Sequence, residues 1–516
     1  MPLETLLTLK GWRRCGLAAL LGICAAVALP PFYGLPLLVP AFAGLFLLVC
    51  HAANGRQAFS DGWWWGLGHF TVGLYWICIS LWVEPEKFAW LTPVALFGLP
   101  AIVALYIALV TLLLHYAYHR WHVKQALKLV LCFAALWVGA EYLRAHLFTG
   151  FPWNLIGYVW TVSDVTVQFA SVVGIYGLSW VTVIVASMPA LFWYPGQAQT
   201  AIFPNFSAAG LLLGMVIFGV WHLDTHPTQM TDVKVRIVQA NIQQSLKWDE
   251  RMALQGLKKH THLTASEGID SIKLVLWPET AVPYYIKGKS PITEDLGSFI
   301  PRGSLLITGG LRSDTYNNSV AWNSVFAIDK DGNVVAEYDK HHLVPFGEYI
   351  PLRGVPGVDW LIERIAKGMG DFSRGPGPQT LDISPYPRVS PLVCYEAIFP
   401  DEATDGMHRA QWLFSLTDDA WFGISSGPFQ DLEMARMRAV EQGLPLLRAA
   451  NTGISAAFDA YGRTLAQLPL EKEGVLDLYL PKAEAQEPIA SRYPKSWVLF
   501  LIAGNMILLF LHRKKY

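Results

Sequence analysis

The first 222 residues fall into apolar runs of about 18 residues or more with few charges inside them, and another such run lies near the end of the chain. A run of that length can cross a bilayer as a helix, and repeated runs exceed what a soluble core can bury. Spans are expected near 15–32, 36–53, 62–82, 89–117, 126–147, 166–194 and 206–222, with an eighth near 495–512. The first begins with Lys10, Arg13 and Arg14 and has Ala-Val-Ala near its end, which imitates a cleaved signal. Six further spans follow, so a retained anchor is expected. Composition agrees, because 53% hydrophobic against 15% charged residues lies outside the soluble range. The 21 Trp fit interfacial belts. A formal charge of -1 and the lack of any Lys/Arg stripe give no reason to expect nucleic acid as a partner.

Between the seventh and eighth spans the composition is that of an ordinary globular domain. The expected organisation is a transmembrane domain over 1–222, a catalytic domain over 231–492 and a C-terminal transmembrane helix over 495–512. Cytoplasmic loops carry the excess of Lys and Arg. The basic pieces are the N-terminus, Arg56, the group Arg120, Lys124 and Lys128, and the terminal Arg513, Lys514 and Lys515. With eight spans all of them fall on one side. Both termini are then cytoplasmic, and the globular domain faces outward, which in a bacterial inner membrane is the periplasm.

Glu141 and Arg144 lie one helical turn apart inside the fifth span, where charges are costly unless paired. They read either as an ion pair that lets the helix insert or as a polar lining for a lipid headgroup. The segment Thr149-Gly150-Phe151-Pro152-Trp153-Asn154 reads as an interfacial loop that could border the same place.

In the globular part, short β-branched strands are expected at Val233–Gln239, Ile272–Trp277, Ser304–Gly309, Trp322–Asp329, Val334–Tyr338, Arg388–Val393, Trp412–Thr417 and Ile454–Phe458. Helical stretches at Asp249–Glu267 and Phe429–Gln442 alternate with them, which argues for an α/β layered sandwich. Hairpin chemistry at 329–333 and 460–463 makes the sheets mixed.

Three of these strands run into reactive side chains: Glu279, Lys340 and Cys394. Ligands collect beyond the carboxyl ends of strands in open α/β sheets, so the three could meet. Cys394 is the one cysteine of six outside the apolar segments, so no disulfide framework can form within the domain. A thiol needs a base, and Glu279 is the candidate; Lys340 would stabilise an oxyanion. Taken singly, each residue reads more plainly as a buried small hydrophobe, a turn carboxylate or a basic surface loop.

The surrounding motifs decide between these readings. Trp277-Pro278-Glu279-Thr280, Lys340-His341-His342-Leu343-Val344-Pro345-Phe346-Gly347-Glu348-Tyr349 and Cys394-Tyr395-Glu396 resemble the Glu, Lys and Cys boxes of the nitrilase superfamily. Leu-Val-Pro-Phe-Gly-Glu after the lysine, Asp419-Ala420-Trp421-Phe422-Gly423 and Ala435-Arg436-Met437-Arg438-Ala439 narrow the resemblance to the apolipoprotein N-acyltransferase family. That resemblance implies an α-β-β-α sandwich with the catalytic residues Glu279, Lys340 and Cys394. It implies a thioester on Cys394, an acyl chain donated by a membrane phospholipid such as phosphatidylethanolamine, and a diacylated apolipoprotein as acceptor. Glu348, Tyr395, Glu396, Trp248, Asn323 and Trp153 are the supporting positions, although Trp248 also reads as an ordinary buried ring. A monomer is expected. Asp418 stands where the family's box has Asn.

The stretch Val355–Ile365 reads as an arm dipping into the interface or as a plain surface helix. No cofactor and no metal are expected, because no His/Cys/Asp set has ligand spacing and adjacent His341 and His342 do not easily turn both rings to one ion. Two rival readings are a membrane-anchored amidase, with water as the second acceptor, and a transporter with an outer binding module. The spans lack paired Gly/Pro-broken segments, which counts against transport.

Overall fold

Residues 3–119, 125–194, 200–247, 250–314, 320–351, 353, 371–493 and 503–504 are described by the computed structural model. Trp248, the stretch 355–365, Arg120, Lys124, all of the eighth span but residues 503–504, and the terminal basic cluster lie outside the described residues. The chain divides into two units, one of Met1–Pro227, Phe422–Glu433 and Glu487–Tyr516, the other of Thr228–Trp421 and Met434–Gln486. Composition gave no sign that Phe422–Glu433 belongs with the apolar helices.

The first unit is helical. Among the described residues four helices are long and apolar enough to cross a membrane: Pro85–His119, Ala126–His146, Ala170–Trp193 and Ile202–Thr225. They match the fourth to seventh expected spans. The first two segments are also helical, as Gly11–Val27 and Leu35–Cys50, whereas the helix at the third, expected over 62–82, runs from Gly55 to Gly73 and takes in Arg56. The first two are short, and the third carries Arg56, Gln57, Asp61 and His69. Its acid is not solvated. Asp61 takes a two-pronged grip from Arg14, at 2.8 Å from Nε and 2.7 Å from Nη2, and Arg14 also donates to the carbonyls of Leu7 and Leu48. Both side chains are buried. Helices Gly11–Val27 and Gly55–Gly73 touch backbone to backbone, and a Cβ on Gly22 or Gly68 would strike the carbonyl of Trp65 or Ala19.

Glu141 and Arg144 both bind the loop that follows their helix. Glu141 Oε1 accepts from Trp137 Nε1 and from the Ile156 amide at 2.9 Å, and Arg144 Nη1 donates to the carbonyls of Phe151 and Trp153 at 2.6 Å. The loop is thereby fixed. Trp153 is buried at its turn, with its indole donating to Gln430 Oε1 at 2.7 Å and its ring packed on Trp76 and Phe422.

The second unit is a two-sheet sandwich. Strands β1 (Met230–Gln239), β2 (Leu274–Leu276), β3 (Val282–Ile286), β4 (Leu305–Ser313), β5 (Ala321–Asp329), β6 (Val334–Asp339) and β12 (Gly474–Pro481) form one sheet. Its order is β12-β1-β2-β4-β5-β6, with β3 paired to β4. Strands β7 (Val389–Val393), β8 (Trp412–Thr417), β9 (Leu446–Ala450), β10 (Ser455–Phe458) and β11 (Thr464–Leu468) form the other, in the order β11-β10-β9-β8-β7. Each sheet has a parallel run, β1-β2-β4 or β7-β8-β9, continued by antiparallel strands. Alternate residues face inward, so Val235, Ile237, Leu276, Ile307 and Val325 pack with Val389, Phe414, Leu416 and Leu447 in one core.

The outer face of the first sheet buries Val238, Val275, Trp277 and Phe326 with Leu257 of helix Glu250–Thr264 and Leu296 of helix Pro291–Ser298. On the second sheet, Arg436 and Val440 of helix Gly427–Gln442 lie against Gly462. The expected α-β-β-α sandwich is the fold. Both expected hairpins turn on the same device, an aspartate, Asp329 or Asp459, accepting two backbone amides ahead of a left-handed glycine.

The ion pair of Arg448 with Asp419 lies deep inside this unit. Arg448 Nη2 meets both oxygens of Asp419 at 3.0 and 2.7 Å, and both side chains are fully buried. Removing one partner strands a buried charge, which costs about 3–5 kcal/mol. Asp419→Ala is therefore expected to lower the unfolding midpoint of the domain strongly, measured by intrinsic fluorescence in denaturant. The paired Asp419→Leu/Arg448→Met variant should recover most of that loss.

Candidate active site

The end of β2 places Glu279, the end of β6 places Lys340 and the end of β7 places Cys394. Lys340 is nine-tenths hidden or more, as an ammonium can be only where carboxylates compensate the lost hydration. Its Nζ lies 3.3 Å from Glu279 Oε1 and 2.9 Å from Glu348. Burial alone would lower its pKa, but Glu279, Glu348 and the Cys394 sulfur outweigh that and hold it well above the ordinary lysine value. It stays charged. Asn323 locks the two carboxylates together, its Nδ2 donating to Glu279 Oε1 at 2.8 Å and to Glu348 Oε1 at 2.9 Å, while its carbonyl accepts from the Lys340 amide. Glu348 is fixed from behind by the Val344 amide at 2.8 Å.

Cys394 is half-buried and sits at φ 51°, a left-handed conformation that costs a non-glycine residue on the order of 1–3 kcal/mol. The turn Cys394–Ile398 holds it there. Glu396 reaches back to the Val393 amide with Oε2 at 2.8 Å, and its Oε1 accepts from the Tyr338 hydroxyl and from the amides of His341 and His342. One buried carboxylate thus ties the cysteine turn to the residues directly after Lys340. Burial would raise the Glu396 pKa, but His341 and the amide donors bring it below the usual range. Tyr395 is buried, its ring edge-on to both His342 and Phe399, which stack on each other.

Glu279, Lys340, Cys394, Glu348, Glu396 and Asn323 are therefore gathered at one end of the sandwich, with Tyr395 in the cysteine turn. Two parts of the arrangement escaped the sequence. Lys247 is buried, donating to Asp418 Oδ2 at 2.5 Å and to the Glu279 carbonyl at 3.1 Å, while the Asp418 amide donates to Glu279 Oε2 at 3.1 Å. The one visible signal was the Asp at 418.

The second concerns the adjacent histidines, whose rings do turn to one point. His341 Nε2 and His342 Nδ1 meet Glu402 Oε2 at 3.0 and 2.7 Å, because Glu402 stands across the chain from both. Three ligand atoms that could hold a cation are therefore close together, contrary to the argument from adjacency, and hydrogen bonds occupy them in this structure. His341 also places Nδ1 at 2.7 Å from Glu396 Oε1. Burial would lower the His341 pKa, but Glu396 and Glu402 raise it to about 9.

Chemically the arrangement offers a thiol on a strained turn, a carboxylate that can move a proton and a fixed cation for a developing oxyanion. Residues 21–188 match the apolipoprotein N-acyltransferase N-terminal domain, and residues 234–487 match the carbon-nitrogen hydrolase family. Proteins named apolipoprotein N-acyltransferase are similar along nearly the whole chain. The one from Rhodopseudomonas palustris is 38% identical over 98% of this chain and 96% of its own length. That from Bradyrhizobium diazoefficiens is 39% identical over 92% and 90%, and that from Brucella melitensis 36% over 99% and 98%.

Because folding raises the His341 pKa from 6.5 to about 9, its contribution is complete below about pH 6.5 and lost as pH rises through 9. The contribution is on the order of 3 kcal/mol. Domain stability measured in denaturant is expected to fall across that window, and His341→Gln should flatten that part of the profile.

Proposed function

Because the chain belongs to the apolipoprotein N-acyltransferase family, we propose that it carries its acyl group on Cys394 between two half-reactions. The enzyme acylates lipoproteins, and its apolar helices make it a membrane protein. In the first half, Glu279 takes the proton of the Cys394 thiol, and the sulfur attacks the ester carbonyl of a phospholipid. The Lys340 ammonium stabilises the oxyanion. Glu279 returns its proton to the departing glycerol oxygen, leaving a thioester and a lysophospholipid.

In the second half the N-terminal amine of a diacylglyceryl-cysteine attacks the thioester. Glu279 accepts the amine proton, the tetrahedral intermediate collapses, and the Cys394 thiolate leaves. The Glu279 proton restores the thiol. Phosphatidylethanolamine is the donor we favour, and the protein acts as a monomer. Eight spans, with cytoplasmic termini and the catalytic domain in the periplasm, place the thiol on the side where exported lipoproteins arrive. Glu348 and Asn323 keep Lys340 and Glu279 in register, Glu396 and Tyr395 hold the nucleophile turn, and Trp248 and Trp153 serve the lipid substrates.

The observation that carries this reading is the Lys340 ammonium held between Glu279 and Glu348 beside the Cys394 sulfur. Purified full-length protein given acyl-labelled phosphatidylethanolamine and a diacylated lipopeptide is expected to yield a triacylated peptide. Cys394→Ala should form no hydroxylamine-labile acyl-enzyme, Glu279→Gln should form it about 10²–10⁴-fold more slowly, and Cys24→Ala should charge normally. Release of free fatty acid with no acylated peptide would favour a hydrolase, and label retained in Cys394→Ala would refute the nucleophile.

A further inference from the structure

Glu279 is held by more than the trio. One carboxylate oxygen, Oε1, faces Lys340 and Asn323, and the other, Oε2, accepts from the Asp418 amide at the end of β8. The same aspartate turns its side chain to Lys247, whose ammonium bridges Asp418 Oδ2 and the Glu279 carbonyl. Lys247 and Asp418 are both more than nine-tenths buried. The pair is built in. Asn451, at the end of β9, donates to Asp418 Oδ1 at 3.0 Å and exchanges two hydrogen bonds with the backbone of Ile242, in the loop that leads to Lys247.

Four strand ends, those of β1, β2, β8 and β9, therefore meet around one ion pair on the side of Glu279 away from Lys340. A carboxylate in the place of Asp418 would repel Glu279 if it stood alone. A lysine at 247 would favour the ionised form of Glu279 if it stood alone. Held against each other as an ion pair, neither charge stands uncompensated beside Glu279.

We infer that Lys247 and Asp418 form a charge-balanced clamp that positions Glu279 and keeps its proton exchange matched to both half-reactions. The inference rests on Glu279 being the general base. It accounts for the aspartate at 418 as the counter-ion that a buried Lys247 requires, where a neutral Asn would leave the ammonium unpaired beside the base. Neither residue touches the reacting atoms; both act through Glu279.

Among the described residues the charged and titratable groups around Glu279 are Lys340 from the end of β6, Glu348 from the loop after it, Cys394 from the end of β7, and Asp418 and Lys247. Behind them lie the Asp419–Arg448 pair and His260, which burial lowers to about 4 and so keeps neutral. In the single variants only the balance between 247 and 418 changes.

The test is the pH profile of acyl-enzyme formation by full-length protein with acyl-labelled phosphatidylethanolamine. Asp418→Asn leaves Lys247 uncompensated, and the acid limb should move down by about one pH unit. Lys247→Met leaves Asp418 uncompensated, and the limb should move up by a similar amount. The double variant removes both charges and should bring the limb back to its wild-type position. Gel filtration sets the folded fraction to which rates are normalised. If Lys247→Met does not fold, Asp418→Asn against the double variant decides alone. Limbs that stay in place, or singles that shift the same way, overturn the clamp. Glu279→Gln is run in parallel: wild-type charging by that variant would refute the base assignment, whereas slow charging together with unmoved limbs would refute only the clamp.

Discussion

A buried ammonium sets the terms for the catalytic domain. Lys340 cannot leave water without compensation, and Glu279 and Glu348 both supply it while Asn323 bonds to both. Once the lysine is fixed, so is the carboxylate best placed to move protons. Glu396 extends the same grip to the next two residues and to the cysteine turn, so base, cation and thiol are held through a continuous set of hydrogen bonds. The sandwich exists, for this purpose, to bring three strand ends together. Strain at Cys394 is tolerated because the surrounding hydrogen bonds over-determine it.

Much of this was legible in the residue order because Glu279, Lys340 and Cys394 each follow a short apolar strand and sit in a long motif. The alternation along β1, β5 and β8 shows one face turned inward, and the two turns with an Asp three residues before a Gly declare their hairpins. Other elements were hidden by their own chemistry. Strand β9 reads poorly because Arg448 interrupts it, and only the folded chain reveals that Asp419 neutralises that arginine. Pro283 disguises β3, which pairs with β4 alone. Lys247 and Asp418 are 171 positions apart, so no local pattern could couple them; the odd aspartate at 418 was visible, but its partner was not.

The helical unit shows the same limit in another form. A helix with Arg56 and Asp61 scores poorly as a span because composition prices every charge as solvated. Asp61 is instead buried against Arg14, which in turn satisfies two backbone carbonyls, so the helix carries its acid at far less cost than its sequence implies. Glu141 and Arg144 are likewise spent on the 150–156 loop, which answers why charges persist in so apolar a helix. Acyl transfer between two lipid-anchored substrates gives a physical reason for such helices and a thiol-bearing domain to share one chain.

The central claim is that Cys394 carries the acyl group from one substrate to the other. Its most direct test is to charge the full-length enzyme with labelled phospholipid, remove all free lipid, and then add a diacylated lipopeptide. The account predicts that label leaves Cys394 and arrives, in equal amount, on the peptide's terminal amine with no phospholipid present. Label that remains on the protein, or that departs only as free fatty acid, would contradict it.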